Sequence, residues 1–98
     1  MARATILLLA AIASIAAHAA KADEVAVTLK EGAGRDVVSA NCGACHSLDY
    51  IEMNAPFMTG KQWEAEVTKM INAFGADIAP PEAKTIVDYL TRSYGQGG

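Results

Sequence analysis

Cys42-Gly43-Ala44-Cys45-His46 places two thiols three positions apart, with an imidazole directly behind the second. This is the attachment pattern of c-type haem. Its spacing has a physical reason. Each thiol can add across one vinyl group of a single porphyrin, and the adjoining imidazole is then held beneath the iron as its proximal ligand. Gly43 and Ala44 suit the arrangement, because a bulky pair would crowd the macrocycle. Cys42 and Cys45 are therefore the expected thioether positions and His46 the expected iron ligand.

Three plainer readings compete. A thioredoxin-like dithiol needs a βαβ context, and no alternation in this chain is long enough to build one. Structural zinc takes four ligands, usually Cys and His, and once an N-terminal leader is removed the chain offers two Cys and one His. A disulfide across two intervening residues closes too short a loop to stabilise much by chain entropy.

Outward from the motif, the N-terminus has the pattern of an export signal. Arg3 supplies a minimal positive region, Thr5 to Ala17 is an apolar run, and Ala17-His18-Ala19 brings small residues to the cleavage positions. Ala20-Lys21-Ala22 offers a second such site, so residues 1–22 are the expected signal, cut after Ala19 or after Ala22. An uncleaved anchor helix is the alternative, against which the apolar run is short and ends in small residues. Export to a periplasm agrees with haem attachment, although the two were inferred from separate stretches. The remaining domain, residues 23–98, falls near the size of about 70–80 residues at which a core alone supplies little net stability and a staple is usual.

Composition narrows the field further. Of 98 residues, eight are Lys or Arg and eleven Asp or Glu, a net charge of −3 that argues against a nucleic-acid partner. No later stretch has the roughly 18 consecutive apolar residues of a membrane span. Two cysteines exclude a disulfide-rich scaffold.

Periodicity implies helices. After an Asp23–Glu31 lead-in, where Val25, Val27 and Leu29 alternate as in an extended segment, Gly32 and Gly34 break the chain and a helix is expected from Arg35. Val38, Cys42 and Cys45 would share its face. Thr59-Gly60-Lys61-Gln62 is a capping box, with Met58 and Trp63 able to staple the turn. Trp63, Val67, Met70, Ile71 and Phe74 then recur at helical spacing, with Glu64, Glu66 and Lys69 on the other face and Gly75 as the stop. A last helix is expected around Pro81, with Ala83, Ile86, Val87, Leu90 and Tyr94 inward and Gly95 at its end. About three helices around one covalent haem make an all-α, single-domain, cytochrome c-like fold.

Electron-transfer haems usually take Met or His as second axial ligand. His18 leaves with the signal, so Met53, Met58 and Met70 remain. Met53 follows His46 so closely that a chain extended by about 3.3–3.6 Å per residue has almost no slack to round a porphyrin edge. Met58 has the staple to make. Met70 lies on an apolar helical stripe with ample chain behind it, although a methionine there is more often simple packing. Met70 stands first, Met58 second, and an open sixth position last.

Beyond the haem motif, the stretch Cys42 to Ile51, Met53-Asn54-Ala55-Pro56-Phe57-Met58, the Trp63…Val67…Met70 helix and Ile86-Val87-Asp88-Tyr89-Leu90 with Tyr94-Gly95 resemble the small cytochrome c subunit of bacterial sulfite dehydrogenase (sulfite:cytochrome c oxidoreductase). The likeness covers nearly all of the chain after the signal, and Leu48-Asp49-Tyr50-Ile51 with Met53-Asn54 and Pro56-Phe57 is its more specific part. It implies a periplasmic partnership with a molybdopterin-containing, sulfite-oxidising subunit and electron delivery to a soluble cytochrome c. It also implies Cys42 and Cys45 as haem attachments, His46 as proximal ligand and Met70 as distal ligand, here on a helix where common small cytochromes c use a loop.

No carboxylate pair, Ser-His-Asp set or activated nucleophile points to bond chemistry by this chain alone, so its expected part in an oxidoreductase is electron transfer. A free-standing periplasmic cytochrome c carrier is the alternative, and a haem-based gas sensor a third class. The segment Ser47 to Phe57, taken as a loop, is the expected docking surface. Leu48 and Ile51 are assigned there to the haem pocket, and Tyr50 and Phe57 to the interface.

Overall fold

The computed structural model describes residues 27–97. The expected signal, its two cleavage sites and Val25 lie outside them. The described chain is all-α, ordered as α1 (Arg35–Cys42), α2 (Asp49–Asn54), a 3-10 turn (Ala55–Phe57), α3 (Gly60–Asn72) and α4 (Pro80–Tyr94). Four α-helices thus replace the expected three. The additional one, α2, falls within the Ser47–Phe57 stretch that was expected to be a loop. It is six residues long and buries only Ile51, too little for a periodic signal.

The core forms where α1 and α3 each pack on α4. Val38 of α1, Ile51 of α2, Trp63 and Val67 of α3, and Ile86, Tyr89, Leu90 and Tyr94 of α4 are buried, and Leu29 joins them from the N-terminal segment. Tyr89, absent from the expected apolar stripe, is wholly buried. Its hydroxyl donates to the Lys30 carbonyl at 2.5 Å. The Lys30 N–H donates to the Tyr94 hydroxyl at 2.9 Å, and Arg92 donates to the Ala33 carbonyl at 2.7 Å. These bonds strap the segment before α1 along α4, widening the face that α4 must bury.

Gly34 makes the turn from strap to helix. Its φ is +95°, and a Cβ there would meet Thr85 Cγ2 and Tyr89 Cβ at 3.1 Å. Both the left-handed backbone and the contact with α4 favour glycine at this position. α1 then ends at Cys42 with Gly43 as its cap. Cys45 therefore lies in the turn beyond the helix and does not continue its face.

The capping box of α3 forms as the sequence requires. The Gln62 N–H donates to Thr59 Oγ1 at 3.3 Å, and the Thr59 N–H donates to Gln62 Oε1 at 2.7 Å. At the other end the helix stops at Asn72, Gly75 turns with φ +72°, and the Ala76 N–H returns to the Met70 carbonyl at 2.9 Å. Phe74, expected on the inner stripe, lies beyond the last helical turn and is 71% exposed. α4 begins at Pro80, with both prolines in its first turn, where a missing N–H costs nothing. A short parallel bridge between Thr59 and Gln96 ties its end back to the start of α3. Among the described residues no helix is long and apolar enough to cross a membrane.

Candidate cofactor cleft

A narrow cleft of about 40 Å³ opens between the end of α1, α2 and the inner face of α3. Cys42, His46 and Met70 all line it, and its walls are Ile51, Trp63, Val67 and Leu90. Three of the four residues expected to hold a cofactor therefore share one lining. The fourth, Cys45, is exposed in the turn between Cys42 and His46. The other two methionines are placed differently: Met53 is 71% exposed on α2, and Met58 packs half-buried against the core before α3.

Local structure accounts for each position. Cys42 occupies the last turn of α1, whose register is set by buried Val38 one turn earlier. Burial pushes the Cys42 thiol above its ordinary value, so at neutral pH it is protonated, unlike the activated thiolates of redox dithiols. Both cysteines are free thiols. Met70 lies one turn after buried Val67, which turns its thioether stem toward the same side.

His46 is oriented by its neighbour. Its Nδ1 lies 3.2 Å from the Ser47 carbonyl. A carbonyl only accepts, so the proton belongs on Nδ1 and Nε2 keeps the free lone pair, the state a metal-binding imidazole needs. The Tyr50 ring packs against the imidazole, centroids 5.5 Å apart and tilted by 49°.

Glu66, which the helical pattern assigns to the outer face, lines the cleft, and its side chain is 15% exposed. It lies one turn before Met70, and that i, i+4 relation was the signal available in the sequence. Tyr50 donates its hydroxyl to Glu66 Oε1 at 2.9 Å, and Lys69 Nζ lies 2.8 Å from Oε2. Burial alone would raise the Glu66 carboxyl. The hydrogen bonds from Lys69 and Tyr50, with the positive charge of Lys69, outweigh burial and hold it below the usual carboxylate range. The Tyr50 phenol is raised, first by its bond to Glu66 and then by burial.

The remaining docking candidates separate cleanly. Ile51 lines the cleft, whereas Leu48 packs against the core outside the lining. Tyr50 belongs to the cleft as well, while Phe57 is 76% exposed.

Two thiols in sequence, an imidazole with a free Nε2, a thioether and an apolar wall fit a covalently attached iron porphyrin as a donor set. Among the described residues no three of His, Cys, Asp and Glu come together as a metal site. In comparison with known proteins, no family model and no curated protein matches this chain.

Proposed function

We propose that this chain is a periplasmic electron-transfer protein that carries one covalent haem c, and that it serves as the cytochrome subunit of a sulfite dehydrogenase. The observation that carries the reading is the convergence of Cys42, His46 and Met70 on one cleft. Cys42 ends α1 and His46 lies in the turn four residues on, both within the motif, whereas Met70 is brought to them by α3.

Haem supplies one-electron exchange at its iron. The chain's own residues do the rest. Cys42 and Cys45 anchor the porphyrin edge, and His46 offers Nε2 while Ser47 fixes its ring through Nδ1. Met70 offers its thioether from α3. Trp63, Val67, Ile51 and Leu90 keep water from the slot. Trp63 is itself locked, donating Nε1–H to the Tyr94 carbonyl at 3.1 Å, so this wall is held by α4.

Docking of a molybdenum subunit and of a soluble cytochrome c is supported by the surface beside the cleft. Met53 lies exposed on α2, which also supplies Tyr50 and Ile51 to the lining, and Phe57 lies exposed on the 3-10 turn that follows it. Large apolar side chains of this kind often anchor interfaces.

The test uses protein exported from a host competent in haem attachment. The intact mass should exceed that of the processed polypeptide by one haem, and Cys42→Ala with Cys45→Ala should lose it. An unmodified mass refutes the reading. The isolated holoprotein should oxidise no sulfite, yet sulfite should reduce its haem once a molybdenum subunit is added. Covalent haem with no such reduction by any molybdenum subunit would leave a free-standing carrier.

A further inference from the structure

Among the described residues, Glu66 is the only carboxylate in the lining of the cleft. Both of its oxygens are engaged, Oε1 by the Tyr50 hydroxyl at 2.9 Å and Oε2 by Lys69 Nζ at 2.8 Å. Tyr50 is held in turn against His46. The carboxylate is therefore fixed in the slot that His46 and Met70 share and cannot swing out to water without breaking two bonds. Its counter-ion differs in setting: the Lys69 side chain is 50% exposed, whereas that of Glu66 is 15% exposed. Water screens the lysine charge far more than the carboxylate charge, because a charge acts more strongly where the surrounding dielectric is low. The pair thus leaves a net negative potential inside the cleft. A redox group held there gains an electron on reduction, so a fixed negative charge disfavours its reduced state.

We propose that Glu66 sets the reduction potential of the redox group in this cleft, its carboxylate holding that potential low while Tyr50 and Lys69 position it. This inference rests on the haem reading above. The competing view is structural: the Tyr50–Glu66 bond merely ties α2 to α3.

Potentiometric titration of the purified holoprotein, followed through its haem absorption, separates the two. Glu66→Gln keeps the side chain's size and an acceptor for Tyr50 while removing the charge. It should favour reduction by about tenfold, a rise of 59 mV for a one-electron couple. Lys69→Met should shift the potential the opposite way and by less, because Lys69 already faces water. A cleft that has only been loosened would shift both variants in the same direction and weaken the sulfur-to-iron band in the near infrared. An unmoved potential in Glu66→Gln with that band intact, or shifts of one sign in both variants, overturns the assignment of Glu66. A preparation without covalent haem overturns the haem reading and this inference with it, and the intact mass shows which of the two has failed.

Discussion

Replacing Tyr89 by Phe removes a single hydroxyl from the interior, the one that holds the Lys30 carbonyl at 2.5 Å. The ring stays, so no cavity forms and the core keeps its apolar area. A net hydrogen bond of this kind contributes about 0.5–1.5 kcal/mol, and an orphaned buried partner costs more. The bond to the Lys30 carbonyl is only part-buried, and a loss of about 1 kcal/mol is expected at pH 7. In a domain of this size that lowers Tm by roughly 4–8 °C. The pH dependence is the sharper test. Burial first, then the charge and hydrogen bond of Tyr94, push the Tyr89 phenol up from 10.0 to about 12. The folded state therefore favours the neutral phenol. That contribution is whole below pH 10 and is lost as pH rises toward 12. At pH 11 the native protein has given up about 1.4 kcal/mol that the Phe variant never had at risk. Urea denaturation of both proteins from pH 7 to 11.5 should thus show a deficit in the variant that shrinks above pH 10 and disappears near pH 11. Equal stability at pH 7, or a deficit unchanged up to pH 11.5, would show that Tyr89 does not hold the strap through its hydroxyl.

Met70→Ala should abolish the near-infrared sulfur-to-iron band of the ferric holoprotein while Met58→Ala leaves it intact; the reverse pattern moves the sixth ligand to Met58. Thr59→Ala removes one half of the capping box and should cost about 1 kcal/mol by thermal or chemical denaturation. Because Gln62 completes the same box, Thr59→Ala with Gln62→Ala should cost less than the sum of the single changes, and strict additivity would argue that the two side chains act separately.

The parts of the fold legible in the sequence are those whose signal is local. The capping box at Thr59 and Gln62 and the stripe of Trp63, Val67 and Met70 depend on residues within a few turns of one another. Cys42 and His46 were legible for the same reason. What escaped was set by distant partners. Tyr89 becomes core only because the strap from Leu29 to Gly34 covers it, a contact between opposite ends of the chain. Glu66 looks like one more solvent-facing charge until α2 brings Tyr50 across to it. α2 itself is too short to repeat a pattern. Phe74 failed in the other sense: it kept the helical spacing, but Gly75 had already turned the chain away.

The strap also fixes an order of assembly. Its ties to α4 join residues 59 to 64 positions apart, and contacts so remote in sequence form only after the intervening chain has been brought together. A chain emerging from its N-terminus exposes the two thiols and the imidazole long before Tyr89, Arg92 and Tyr94 exist to close the domain. The cleft too is completed only with α4, which supplies Leu90 to its lining. Loss of the C-terminal turn would accordingly be felt first at the other end, where Leu29 and Lys30 would come away from the core.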